Sequence, residues 1–105
     1  MKNKIRCLID SLIQYQPERL YLFGSWSRVE EDEFSDLDVV VIKQTTIPFF
    51  ERLREASRFI PKELGGVDVL VYTPEEFVYM LREANAFAEM ISEEAVLIYE
   101  RQAEN

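Results

Sequence analysis

The apolar positions Ile5, Leu8, Ile9, Leu12 and Ile13 are separated by 3, 1, 3 and 1 residues, which marks one face of an amphipathic helix from about residue 3 to 15. Pro17 closes it. The pattern then shifts to short apolar runs. Arg19-Leu20-Tyr21-Leu22-Phe23 stops at Gly24 and reads as a buried strand; Leu37-Asp38-Val39-Val40-Val41-Ile42, rich in β-branched residues and ending at Lys43-Gln44, is the clearest strand of the chain. Helical spacing returns with Phe49, Leu53, Ala56 and Ile60, between Pro48 and Pro61. Gly65-Gly66 marks a turn into a third strand, Val67 to Tyr72. Thr73-Pro74-Glu75-Glu76 has the arrangement of a capping box, with the cap at Thr73, proline at the first helical position and a glutamate three residues after the cap. The helical region beyond it carries Phe77, Met80 and Leu81, then Phe87, Met90 and Ile91, with a weak break near Asn85, and a last strand-like run covers Ala95 to Tyr99.

This alternation predicts one small α/β (α+β) domain over residues 1–105, with helices packed on a sheet of three to four strands. The pattern does not order the strands, so a parallel and a mixed sheet are both compatible with it.

Composition narrows what such a domain can do. The chain has no histidine, which excludes Ser-His-Asp and Cys-His triads and the commonest zinc sites. The lone Cys7, set in the apolar helical pattern, is expected to be a small core residue in a reducing compartment. No apolar run approaches the roughly 20 residues of a membrane span, and the basic start is followed by Asp10 rather than a signal-peptide core. The expectation is a cytoplasmic chain without membrane association. The formal net charge is −8, from 12 Lys+Arg against 20 Asp+Glu. Six of those acids (Glu30, Glu31, Asp32, Glu33, Asp36 and Asp38) fall within residues 30–38, so the rest of the chain is nearly balanced. An acidic surface repels nucleic acid backbones, and direct nucleic-acid binding is not expected. Glu30 to Glu33 read as a solvated loop.

The candidate chemistry lies on either side of that loop. Gly24 and Ser25 follow the first strand directly, where free backbone amides at a helix start can cradle a phosphate and glycine lets it approach closely. Arg28, three residues beyond Ser25, can face the same region. Locally, the commoner meaning of Gly-Ser is a turn with a serine cap. Asp36 and Asp38 stand at i and i+2 in or before a strand, on one face, so that both carboxylates can converge on one cation. A pair of exposed aspartates at a strand start is the alternative. Asp68 interrupts the other β-branched strand at its second residue, where an adjacent strand would bring it beside Asp36 and Asp38; alternatively it is an edge carboxylate paired with a lysine such as Lys62. Three carboxylates and a phosphate-binding turn can hold two Mg²⁺ ions, which clamp the attacking and leaving oxygens of an in-line displacement at phosphorus.

Taken together, Gly24-Ser25-x-x-Arg28, Ser35-Asp36-x-Asp38 and the later Asp68 resemble the nucleotidyltransferase superfamily with the DNA polymerase beta type of palm. The short length and the stretch from Val67 to Phe77 are similar to its minimal nucleotidyltransferase (MNT) branch, and the resemblance covers about residues 18 to 77. It implies a mixed sheet and Mg²⁺-dependent transfer of a nucleoside monophosphate, AMP from ATP, to a hydroxyl. It further implies that Gly24 and Ser25 hold the triphosphate, that Asp36 and Asp38 bind both metal ions, and that Asp68 completes the metal site and assists the nucleophile. Minimal members resemble antitoxins encoded beside an α-helical HEPN-domain toxin, some of them AMP transferases acting on a protein tyrosine. One departure stands out: the family usually has Ala-Arg-Gly where this chain has Ser27-Arg28-Val29, so the turn after Arg28 has less backbone freedom.

Two other functions compete with the enzyme. A non-catalytic module could neutralise a HEPN partner by complex formation, and a small subunit of a larger complex would have no nucleotide role. Trp26, Phe34, Tyr79, Phe87 and Met90 are either core or a partner surface; the second choice predicts a homodimer or a hetero-oligomer with a basic partner.

Overall fold

The computed structural model describes residues 2–23 and 37–102, with backbone alone at residues 2 and 3. The elements are α1 (Lys2–Ile13), β1 (Arg19–Phe23), β2 (Leu37–Ile42), α2 (Phe49–Ser57), a single 3₁₀ turn (Lys62–Leu64), β3 (Val67–Tyr72), α3 (Pro74–Arg82), α4 (Ala86–Glu94) and β4 (Val96–Glu100). The strands form one mixed sheet in the order β3-β2-β1-β4. β1 runs antiparallel to both β2 and β4, and β2 and β3 are parallel. A parallel pair needs a crossover, and α2 with the 3₁₀ turn supplies it.

Both faces of the sheet are covered, which explains the near-continuous apolar run of β2, a central strand. Leu37, Val39 and Val41 join Leu8 and Leu12 of α1, Leu20 and Leu22 of β1, Ala56 of α2 and Val69 and Val71 of β3 in one cluster. Val40 and Ile42 point the other way, into Phe77 of α3 and Ala88 and Ile91 of α4. Every one of these β2 side chains is fully buried. At the sheet edge, β4 carries a bulge: Leu20 pairs with Tyr99 but Tyr21 with Leu97, leaving Ile98 as the extra residue. The bulge shifts the alternation, so Ile98 and Tyr99 both pack on the α1 side.

Local chemistry sets the element ends. Gln16 at φ 64° turns the chain out of α1 ahead of Pro17. The capping box forms as the sequence predicts: the Glu76 amide donates to Thr73 Oγ1 at 3.1 Å and the Thr73 amide to the Glu76 carboxylate at 2.9 Å. The weak break near Asn85 is a full boundary. Ala84 takes φ 55°, and the Asn85 side chain accepts from the Ala88 amide at 3.0 Å to cap α4. The turn at Gly65-Gly66 is preceded by the 3₁₀ turn, which the apolar pattern does not mark.

Some expectations for single residues change. Cys7 is half-buried against the α1-side cluster rather than enclosed in it. Phe87 and Met90 pack into the α3/α4-side cluster, while Tyr79 is 62% exposed. Trp26 and Phe34 lie outside the described residues. Among the described residues no helix is long and apolar enough to cross a membrane.

Candidate functional site

Side chains alternate along a strand, so the two apolar clusters reveal where each aspartate points. Val40 and Ile42 face α3 and α4, which places Asp38, two residues before Val40, on that same face. Leu70 and Tyr72 of β3 face α3 and α4 as well, and Asp68 precedes Leu70 by two. Asp38 and Asp68 are register partners across the parallel pair. They therefore stand side by side on one face, separated by the strand spacing of about 4.8 Å. Asp38 is half-buried and Asp68 exposed. On the other side of Asp38 its register partner is Phe23, whose ring meets Phe87 of α4 edge-on at 5.6 Å. The apolar face thus ends in an aromatic wall beside two carboxylates.

The register that aligns them is held from below. The Leu37 amide donates to the Gly66 carbonyl at 3.0 Å, extending the β2–β3 ladder one step past its last paired residues. Gly65, at φ 77°, is in the left-handed region that glycine enters without a Cβ penalty, and it delivers Gly66 to that position.

With Asp68 exposed to solvent, two like charges at this spacing repel by about 1 kcal/mol or less. Among the described residues Asp68 makes no ion pair, so pairing with Lys62 does not account for it. The donor set is all carboxylate oxygen, which suits a hard divalent cation such as Mg²⁺. Four predicted site residues, Gly24, Ser25, Arg28 and Asp36, lie outside the described residues.

A second charged group lies at the far end of the same strand pair. Arg52 of α2, 6% exposed, donates from Nε to the Ile47 carbonyl at 2.6 Å and forms a two-pronged pair with Glu76, at 2.7 and 3.0 Å. It also donates to the Val71 carbonyl at 3.3 Å. The Arg52 hydrogen bonds hold the Glu76 carboxyl below the usual range, against a smaller opposing effect of burial. Arg52 looks in the sequence like one of several surface cations of an amphipathic helix; only the packing of α2 on β3 turns it inward.

The chain matches known proteins in two ways. A family model described as Polymerase beta, Nucleotidyltransferase matches residues 6–104. A crystal structure of a protein from Sulfolobus solfataricus, described as a "putative nucleotidyltransferase", superposes with a TM-score of 0.60 at 24% identity, covering 95% of this chain and 86% of that one. At that identity the likeness is one of fold. No curated protein matches the chain at a significant level. The mixed sheet, with two aspartates in register at one end of the β2–β3 pair, agrees with a family match over nearly the whole chain: the protein belongs to the polymerase beta nucleotidyltransferase family.

Proposed function

We propose that this domain catalyses Mg²⁺-dependent transfer of AMP from ATP to a protein hydroxyl, and that it does so on a HEPN-domain toxin as the antitoxin of the pair. The observation that carries the catalytic part is the register of Asp38 with Asp68 on one open face at the end of the sheet. Asp38 and Asp68, with Asp36, would hold two Mg²⁺ ions. Those ions would neutralise the triphosphate and stabilise the charge that develops on the attacking and leaving oxygens. The acceptor oxygen attacks the α-phosphorus, the bond from that phosphorus to the α–β bridging oxygen breaks, and pyrophosphate leaves. Asp68, the exposed member of the pair, would take the proton of an acceptor hydroxyl arriving from solvent. Gly24, Ser25 and Arg28 would hold the phosphates. The toxin partner and its tyrosine acceptor rest on the resemblance to the minimal branch.

The test is incubation with α-labelled ATP, Mg²⁺ and the neighbouring gene product. The expected result is an AMP-sized mass gain on the partner that disappears in the Asp38→Asn, Asp68→Asn double variant. Neutralisation that survives in that variant with no label would mean that the domain acts by binding alone.

A further inference from the structure

The end of the molecule diagonal to the aspartates carries an open cleft of about 330 Å³ between the α1–β1 turn, the residue after β2 and the end of α2. Lys43 lies about five strand residues beyond Asp38, roughly 16 Å along β2. The cleft is walled by Tyr15 and Phe59, which belong to the α1-side cluster, so it opens on the opposite face of the sheet from the aspartates. It is a separate place.

Its polar lining is cationic in a chain whose net charge is −8. The Lys43 ammonium donates to the Tyr15 carbonyl and sits 4.2 Å from the centre of the Tyr15 ring. An ammonium has three donors, so two of its N–H directions remain for something else. The Arg58 guanidinium, exposed at the cleft, makes no side-chain hydrogen bond or ion pair among the described residues. Gln14 and Gln16 add two side-chain amides, with Gln16 held in its left-handed conformation. The opposing charge is Glu55, which accepts from the Tyr15 hydroxyl at 3.4 Å. Arg101 lies close enough to act on Lys43 electrostatically. Within the lining, two cations against one carboxylate leave a local charge of +1, and Arg101 adds to the field from outside it.

Tyr15 and Phe59 form the apolar part, their ring centres 5.7 Å apart and tilted by 42°. Burial and the neighbouring Glu55 push the Tyr15 phenol up to about 12, so it stays a neutral donor to Glu55 at any physiological pH. The cleft therefore offers a forked guanidinium and a partly desolvated ammonium next to an aromatic wall, in a volume at the low end of those that hold small ligands.

We propose that this cleft is a binding site for a phosphate monoester, its dianionic head between Lys43 and Arg58 and its carbon skeleton against Phe59. A phosphate monoester carries about −1.5 to −2 at pH 7, opposite in sign to the two cations, Lys43 and Arg58, that would flank its head. Glu55 at the same cleft disfavours the more highly charged triphosphates. The site is independent of the nucleotidyl-transfer reading.

Backbone amide chemical shifts, followed by NMR in the presence of EDTA, test it with inorganic phosphate and with AMP as probes. The expected result is saturable shifts at Gln14 to Gln16, Lys43, Arg58 and Phe59, with a dissociation constant on the order of 1 mM. Arg58→Ala, an exposed substitution, and Lys43→Met should each weaken binding at least about tenfold, while Asp38→Asn with Asp68→Asn leaves it unchanged. AMP binding more tightly than phosphate would place the skeleton on Phe59, and equal affinity would place only the head. Absence of saturable shifts, binding indifferent to Arg58→Ala, or shifts centred on Asp38 and Asp68 would each overturn the proposal.

Discussion

The two ends of the β2–β3 pair solve opposite electrostatic problems. At one end Asp38 and Asp68 put like charges side by side in register. At the other, the buried Arg52 joins Glu76 through two hydrogen bonds, and Glu76 also closes the capping box of α3. The second end stabilises the fold: it ties α2, β3 and the start of α3 through one guanidinium and one carboxylate. At the first end Asp68 makes no ion pair among the described residues. The contrast separates two electrostatic arrangements on one strand pair, with opposite charges paired at the end that anchors the crossover and two carboxylates in register at the end proposed to bind metal.

The largest way to break this comparison is at the aspartate end. Replacing both Asp38 and Asp68 by asparagine should reduce kcat/KM for nucleotidyl transfer by about 1,000-fold or more, as expected when preorganised charge in a reaction site is removed, while the circular dichroism spectrum stays that of the wild type. At the other end, Glu76→Ala leaves the Arg52 guanidinium buried without its carboxylate. The side chain of Glu76 is 42% exposed, so the cost should fall near the low end of the range for broken buried pairs, about 3 kcal/mol, read from urea unfolding.

The sign of the pH dependence follows from the depressed Glu76 carboxyl. A carboxyl whose folded pKa lies below its unfolded value of about 4.3 adds stability above that pH, and the contribution is lost as the pH falls through the folded value. The stability difference between the wild type and Glu76→Gln should therefore be constant from pH 7 to about 5 and shrink on further acidification. A difference that grows below pH 5 would contradict it.

Gly65→Ala probes the link that aligns the two aspartates. A Cβ there meets nothing within 4 Å, so the cost is the backbone at φ 77° alone, about 1–2 kcal/mol of stability. The smallest effect sharpens the comparison most. Without divalent metal, Asp68→Asn should stabilise the protein by a few tenths of a kcal/mol, because it relieves like-charge opposition. With Mg²⁺ and ATP the order should invert, since only the wild type gains from ligand binding. A melting temperature for Asp68→Asn below that of the wild type in EDTA would show that the pair is not repulsive.

The elements were legible because each rests on local chemistry. The 3.6-residue spacing of α1, the β-branched runs of β2 and β3 and the Thr73–Glu76 box all act over a few residues, and the observed boundaries follow them closely. The bulge at Ile98 was not legible, because the apolar run of β4 has no mark of its own and the register depends on Leu20 and Tyr21 opposite. Arg52 was missed for a similar reason. Its burial comes from Val71 and Glu76, residues 19 and 24 positions away.

The candidate site divides along the same line. That Asp68 is chemically unusual was readable from a carboxylate interrupting an apolar strand, because such a charge is costly to place on a sheet. That it stands beside Asp38, rather than paired with Lys62, depends on a parallel pairing of strands about 30 residues apart. Sequence by itself determined which segments are strands and helices and which side chains are chemically unusual, since propensity, capping and alternation are short-range. Tertiary structure alone decided the strand order, the register that brings Asp38 level with Asp68, and the inward turn of Arg52, because these come from burying both faces of one sheet at once.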